Sequence, residues 1–373
     1  MAEKTPRFNP AHYLMGCRLD NWLRLLWENK FAIDPARLPQ AALLGGMSLA
    51  LSPFAVAESL LYDRKVNRVT IDKDPLYILG FWRMGTTYLQ NILAHDPQFA
   101  WADPVGTASV AYSKTLHGLF TYGQARVLGS ARPMDNLKYS LELPLEETFG
   151  VATLTPYSII HMIAFPTNYR HYIPGAFIGD LSSSDRRAWE KAYLHLLKKL
   201  TWAQGGKRLM LKSPDNTAHV PQLLKLFPDA RFLNIHRDPY TTILSTMHMF
   251  RKQMDFLRLS KMPPNFDQTL EDTLFSIFER MYHKLFREIP AIAPNRFYEI
   301  GYEEFVEDPI GHLRRAYDAL ELDGFEEALP QLQAYVDSQK SYSKNRFELD
   351  DRLKAKIEER LGFYFDHYGY ARR

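Results

Sequence analysis

The sequence predicts an α/β protein: a parallel sheet flanked by helices, with helical insertions and a helical N-terminal region. Short β-rich runs recur along the chain, at LYILG (76–80), RLMLK (208–212), RFLNIH (231–236) and RFYEIG (296–301). Each is followed by a turn signal and then a helical pattern, at TTYLQNILAHDP ahead of Pro97 and at 216–227, 239–250 and 302–307. Such alternation argues for parallel strands joined by crossover helices, covered on both faces. The stretches 105–205 and 267–289 read as mostly helical insertions around this sheet. No internal repeat and no Gly/Ser-rich linker divides them off, so the expected organisation is a helical extension over 1–70, packed on one α/β domain over 71–373.

Composition narrows the class. Of 373 residues, 46% are hydrophobic and 24% charged, which excludes disorder, collagen-like sequence and coiled coil as descriptions of the whole chain. A balance of 46 Lys+Arg against 43 Asp+Glu leaves a net charge of +3, too little to argue for nucleic acid. Any anion site must therefore be local. The one cysteine, Cys17, can form no internal disulfide and fits a reducing, cytoplasmic setting.

The first residues, MAEKTPRFNPAHY, hold no apolar run, so no secretory signal peptide is expected. Leu19, Trp22, Leu23, Leu26 and Trp27 recur at helical spacing. The stretch 41–61 is the most apolar of the chain. Its Gly45, Gly46, Ser48, Ser52, Pro53 and Glu58 make it read as short of the ~20 predominantly apolar residues of a membrane span. Two readings stay open: helices packing on the main domain, or a surface that meets a membrane or shapes the mouth of a pocket for a greasy substrate.

Gly80-Phe81-Trp82-Arg83-Met84-Gly85-Thr86-Thr87 follows the first strand and opens a helix. Its glycine spacing is that of a Walker A loop, in which backbone N–H groups and a helix N-terminus hold phosphate oxygens. Thr86 stands where the Walker lysine belongs, and no strand ends in an evident Walker B aspartate. A nucleoside triphosphate with Mg²⁺ needs both. Arg83, inside the loop, supplies the positive charge instead, which suits a less charged anion handled without metal. A second anion site follows the strand RFLNIH. Arg237-Asp238-Pro239 carries a proline suited to a helix start, and Ser245 lies about two turns farther on, on a face that Arg237 can share. Arg and Ser together can hold a second phosphate through charge and a hydroxyl donor.

With these motifs in order, the sequence resembles the sulfotransferases that use 3′-phosphoadenosine 5′-phosphosulfate (PAPS), most of all the bacterial-type branch with GxWRSGTT, LKSP and FPxARFIxxxRDP. The matching stretches are YILGFWRMGTTYLQNILAHDP (77–97), RPMDN (132–136), PLEETF (144–149), LKSPDNT (211–217), FPDARFLNIHRDPYTTILST (227–246) and YEEFVEDP (302–309). The resemblance implies a P-loop-like fold and PAPS as co-substrate, with no metal. Position by position, it places Arg83, Met84, Gly85, Thr86, Thr87 and Tyr88 around the 5′-phosphosulfate, with Arg237 and Ser245 on the 3′-phosphate. Lys212 would stabilise charge on the leaving phosphate. Met84 departs from the family pattern, which has Ser there; the swap is harmless if that position contributes only its backbone N–H.

Sulfuryl transfer to an alcohol needs a base within hydrogen-bond reach of the hydroxyl. Branches of the family that use His place it shortly after the lysine; here Ser213-Pro214 stand there. The acidic cluster Glu142, Glu146 and Glu147 supplies the alternative. The resemblance puts Glu146 first, at the family's first acidic position after the proline, and Glu147 second; a neighbouring carboxylate raises the pKa of one of a pair, which favours a base. The competing reading is a solvated first turn of a helix after Pro144. His236, ahead of Arg237, ranks third. Toward the end of the chain, Lys340, Lys344, Asn345 and Arg346 resemble the family's closing basic loop, with Lys344 and Asn345 as nucleotide contacts.

The Met247-His248-Met249-Phe250 run and the apolar N-terminal region favour a small apolar hydroxyl acceptor, lipid, sterol or phenol-like, over a polar sugar. The alternatives are a sulfotransferase acting on carbohydrate hydroxyls, a P-loop nucleotide kinase, and a catalytically silent nucleotide-binding or membrane-peripheral protein.

Overall fold

The run Leu76–Leu79 forms strand β1, and all four of its side chains are buried, as a strand covered on both faces requires. The computed structural model describes residues 12–127, 143–339 and 349–373. Four further strands complete one sheet: β2 (Phe99–Ala100), β3 (Arg208–Leu211), β4 (Arg231–His236) and β5 (Phe297–Gly301). The order is β2-β3-β1-β4-β5, and β4 runs parallel to both β1 and β5. Tyr77 is the register partner of Phe232, and their rings stack with centroids 5.6 Å apart. This is the parallel α/β sheet that the alternating pattern predicts.

The chain divides into two compact units. The first comprises Met1–Lys73, Ala100–Leu211 and Arg251–Pro264; the second comprises Asp74–Phe99, Lys212–Phe250 and Asn265–Arg373. The sequence reading sets 1–70 against 71–373 instead. The division at Lys73 lies near that boundary, but the mostly helical stretch 100–211 joins the N-terminal helices.

The first unit shows why. Helix α1 (Leu19–Glu28) buries Trp22 and Leu25, and helix α2 (Leu38–Arg68) buries a stripe that includes Gln40, Leu44, Ser48 and Leu51. The two helices meet where a Cβ on Gly45 would stand 3.0 Å from the Trp22 indole Nε1. From inside α2, Glu58 accepts from Lys199 Nζ at 2.7 Å, and Lys199 belongs to the helix Ser183–Ala203. Glu58 also accepts from the backbone N–H groups of Lys114 and Thr115, at 3.0 and 2.8 Å. An ion pair buried this deeply is costly to break, so it ties the N-terminal segment to 100–211.

One expectation is corrected here. Residues 35–67 are long and apolar enough to cross a membrane by length and composition, with a mean hydropathy of 1.4 in the most apolar window. The glycines, serines and proline that argued against a span cost little on a hydropathy measure, and no charge stands between Arg37 and Glu58.

In the second unit, β1 leads through residues 80–85 into helix α3 (Thr86–Leu93). The expected helix over 216–227 is instead a 3₁₀ turn, Pro214–Ala218, followed by a helix over Val220–Leu226. Pro221 has no N–H to continue a helix from the turn before it, so it starts a new one.

Candidate active site

The loop after β1 is shaped by backbone that most residues avoid. Gly80 has φ +142°, and a Cβ there would come within 2.7 Å of the Ile235 carbonyl oxygen. Gly85 has φ +95°, and a Cβ would lie 2.3 Å from the Tyr302 ring. Between them Arg83, a non-glycine residue, is held at φ 69°. Strain of this kind persists only where surrounding contacts fix it. Several do. The Gly80 N–H donates to Thr217 Oγ1 at 2.9 Å, and Thr246 Oγ1 donates to the Trp82 carbonyl at 3.0 Å. The loop then hands directly to the positive end of α3.

Met84 points inward and is fully buried. Its thioether accepts from Tyr282 Oη at 2.8 Å and from the Phe81 N–H at 3.3 Å. The side chain is a strut between the loop and the helix Phe266–Glu288, a different task from that of a loop hydroxyl. Gly85 caps α3, Thr86 is buried in its first turn, and the ring of Tyr88 packs edge-on against Phe305 with centroids 5.7 Å apart. Burial, with smaller contributions from Tyr335 and Tyr302, pushes the Tyr88 hydroxyl up to about 12, so it stays protonated.

The sequence reading treats Arg83 and the Arg237/Ser245 pair as separate sites; the structure joins them. Arg83 Nε donates to Ser245 Oγ at 3.0 Å, and Arg237 Nη1 donates to the Arg83 carbonyl at 2.8 Å. The Arg237 guanidinium lies 4.1 Å from the centre of the Tyr302 ring. Its backbone is gripped as well: the Arg237 N–H donates to Tyr364 Oη, and Tyr364 Oη donates to the Arg237 carbonyl, both at 3.2 Å. Asp238 caps the helix Pro239–Leu257, accepting from the Thr241 N–H at 3.1 Å, with Pro239 at the helix start as expected. Ser245 sits on that helix, about two turns in, and its hydroxyl meets Arg83, whereas the spacing pairs it with Arg237.

Lys212, buried just past β3, brings its Nζ to 3.4 Å from Thr87 Oγ1 in the first turn of α3. A lysine thus reaches the mouth of the anion loop although the Walker position holds Thr86. Two guanidiniums, an ammonium and a helix N-terminus converge here, an arrangement that favours a bound anion. The site also fits a group with more than one anionic centre: Arg237 Nε is buried with no hydrogen-bond partner among the described residues, so a donor remains to be used.

Glu146 and Glu147 belong to the first unit. Glu146 is the N-cap residue of the helix Glu147–Leu154, and Glu147 is buried in its first turn. The helix N-terminus expected after Pro144 is present, and Glu147, at 1% exposure, is not a solvated member of it. His236 is held by its neighbours. Its ring stacks on Tyr368 with centroids 3.9 Å apart, and Nδ1 lies 2.9 Å from Tyr370 Oη. Burial, reinforced by His367, lowers its pKa to about 4. These contacts give it a structural role. Glu142, the RPMDN stretch, Lys340, Lys344, Asn345 and Arg346 lie outside the described residues.

The family model described as Sulfotransferase family matches residues 75–327, which contain the loop, Lys212, Arg237 and Ser245. The chain belongs to the sulfotransferase family. Two curated relatives extend the likeness beyond those bounds. The omega-hydroxy-beta-dihydromenaquinone-9 sulfotransferases Stf3 of Mycobacterium bovis and of Mycobacterium tuberculosis are each 31% identical over 359 residues, covering 96% of this chain and 91% of theirs. The protein is therefore a sulfotransferase enzyme. Among solved structures, sulfotransferase STF9 from Mycobacterium avium superimposes with a TM-score of 0.65 at 19% identity, covering 94% of this chain and 96% of its own. STF1 from Mycobacterium tuberculosis gives 0.63 at 17%, covering 94% of each. At these identities the likeness shows the fold alone.

Several residues that shape this sulfotransferase's site escape sequence reasoning. Tyr302 opens the quoted YEEFVEDP stretch, yet nothing local shows that its ring lies beneath Arg237 and against Gly85. Thr217 closes LKSPDNT and holds the Gly80 amide. Tyr282 and Tyr364 are two of 21 tyrosines with no distinguishing neighbours in sequence.

Proposed function

We propose that this sulfotransferase moves a sulfuryl group from PAPS to the hydroxyl of an apolar, prenyl-lipid-like acceptor. The observation that carries the donor assignment is the contact of Arg83 with both Ser245 and Arg237 beside Lys212. Such a cluster suits one ligand bearing two anionic groups. In this reading, Arg237 and Ser245 hold the 3′-phosphate, and Arg83 with the first turn of α3 holds the phosphosulfate. Lys212 stabilises the charge that grows on the 5′-phosphate oxygen. The acceptor oxygen bonds to sulfur as the bond from sulfur to that bridging oxygen breaks, and the departing phosphate keeps the electron pair. Glu146 takes the hydroxyl proton, with Glu147 the second choice. The lipid acceptor is supported by the substrate in the names of the two curated relatives and by the apolar residues of the N-terminal helices.

A thermal shift with 3′-phosphoadenosine 5′-phosphate beside ADP, both without metal, tests the donor. Stabilisation by the first and not the second is expected, by about 2.7 kcal/mol at a hundredfold excess over Kd. An equal shift with ADP overturns the 3′-phosphate assignment. Mass spectrometry of an acceptor panel, with ω-hydroxylated prenyl quinones against phenols, sterols and sugars, tests the acceptor. Gain of SO₃ by sugars alone overturns the lipid reading.

A further inference from the structure

Exposed apolar side chains are concentrated on one part of the first unit. Of the eleven large apolar side chains exposed among the described residues, nine lie between residues 23 and 61. Leu23, Trp27 and Phe31 stand on α1 and the turn after it, and Leu49, Phe54 and Leu60 stand on α2, opposite its buried stripe. Trp27 is 73% exposed. Patches this concentrated mark interaction sites.

The exposed charges at the ends of this face are mainly basic. Lys30, Arg64, Lys65 and Arg68 are exposed at its ends. Of the nearby acids, Asp20 is paired with Arg18 and Glu28 with Arg24, each at 2.8 Å, Glu58 is paired with Lys199, and half-buried Asp63, beside Arg64 and Lys65, accepts from Ser59 Oγ. Aromatic and aliphatic groups bordered by exposed lysine and arginine suit the boundary between acyl chains and anionic headgroups. A second copy of the chain suits it less. Pairing α2 in parallel with its symmetry mate sets Arg64, Lys65 and Arg68 against the same three residues of the copy.

The same helix passes the length and composition test for a span, yet it is tied to the unit along one side. Buried Arg37, just ahead of it, donates from Nη2 to the Asp255 carbonyl at 2.8 Å, and Asp34 pairs with Arg258 at 2.6 Å. Near its other end Glu58 and Lys199 are paired at 1% and 4% side-chain exposure. A helix whose inner face is hydrogen-bonded into protein can lie on a bilayer without crossing it.

We propose that this face of α1 and α2 docks on an anionic lipid bilayer, α2 lying in the interfacial plane with its apolar side among the acyl chains and its basic ends at the lipid phosphates. The proposal does not depend on the acceptor, and transfer to a detergent-dispersed acceptor can be measured separately. The full chain is sedimented with vesicles of phosphatidylcholine alone and of phosphatidylcholine with phosphatidylglycerol. Binding to the anionic vesicles, weakened by salt, is expected, and Leu49→Ser/Phe54→Ser/Leu60→Ser should lower the partition coefficient at least about tenfold. Circular dichroism melting checks that the variant folds. If it does not, brominated lipid decides: Trp27 fluorescence should be quenched in the native chain, and the quenched component lost in Trp27→Phe. Three results overturn the proposal: native protein that ignores anionic vesicles, a folded triple variant that binds as well as native, or a solution dimer dissolved by the triple substitution without any vesicle binding.

Discussion

Arg83 Nε donates to Ser245 Oγ at 3.0 Å, so a residue of the phosphate loop and a residue two turns into the helix after β4 share one hydrogen bond. Their effects on donor binding are therefore coupled. Arg83→Ala should lower kcat/KM by about 10²–10³, the cost of removing one charge-stabilising group. Ser245→Ala removes a neutral partner and should raise the donor KM about five- to tenfold. The double variant should fall short of the product of the two effects, and a double-mutant cycle on kcat/KM reads that directly. Full additivity would show that the bond carries no function.

Met84 should resist replacement by the family's own residue. Met84→Ser removes a fully buried side chain that Tyr282 and the Phe81 amide both use as an acceptor. A loss of about 2–5 kcal/mol is expected, the range for truncating a core methionine. Met84→Leu keeps the volume, though not the sulfur acceptor, and should cost less than Met84→Ser. Urea unfolding of the two variants distinguishes them, and equal losses would show that packing volume is not the issue.

Gly85→Ala meets both a positive φ and the Tyr302 ring. Because Tyr302 also lies under Arg237, displacing the ring should disturb the second anion site as well as the first. Donor affinity measured by titration calorimetry should fall more than tenfold, taking about 1–2 kcal/mol for the left-handed backbone alone. Unchanged affinity would mean that the ring yields freely.

Acid should destabilise the first unit through His12 and His161. Both are buried, and burial lowers the pKa of each to about 4. His12 Nε2 is bound to the Leu257 carbonyl and His161 Nε2 to the Thr155 carbonyl. Above pH 6.5 neither is charged in either state, so stability is unaffected. As pH falls from 6.5 to about 4, the unfolded chain takes up protons that the folded chain refuses, and stability is lost. Each group contributes roughly 3 kcal/mol once the shift is fully expressed. Urea midpoints at several pH values should fall across that window, and His161→Gln should flatten the fall; a flat native profile would show that neither histidine is excluded from protons.

Glu58→Gln should destabilise more than replacing both partners. Left alone, Lys199 becomes a buried cation with its carboxylate removed, at a cost of about 3–5 kcal/mol. Glu58→Gln with Lys199→Met, which removes the buried cation and keeps an amide oxygen for the Lys114 and Thr115 N–H groups, should recover most of this. Thermal unfolding of single and double variants tests the point, and equal losses would mean that the pair is not electrostatically coupled.

Much of the second unit was legible because its signals are local. RFLNIH reads as a strand over 231–236 and is one, and Pro239 marks the helix start that brings Ser245 to Arg83. The grouping of 100–211 with the N-terminal helices was not legible, since it depends on Glu58 meeting Lys199, residues separated by most of a domain. Tyr282 on Met84 and Tyr302 under Arg237 are hidden for the same reason. They are long-range contacts of common residues, and periodicity carries no trace of them. In α2 the error was one of weighting: Gly, Ser and Pro were counted against an apolar run that their small polarity scarcely alters.

The Glu58–Lys199 pair also sets an order of events during synthesis. Position 199 follows position 58 by 141 residues, which at about 5–20 residues per second is roughly 7–28 s of translation. Throughout that interval α2 presents an uncharged apolar stretch and a carboxylate whose cationic partner has yet to be made. A nascent chain halted before Lys199 should consequently behave like an incomplete membrane segment, drawing chaperones or lipid, and one extended past it should release them.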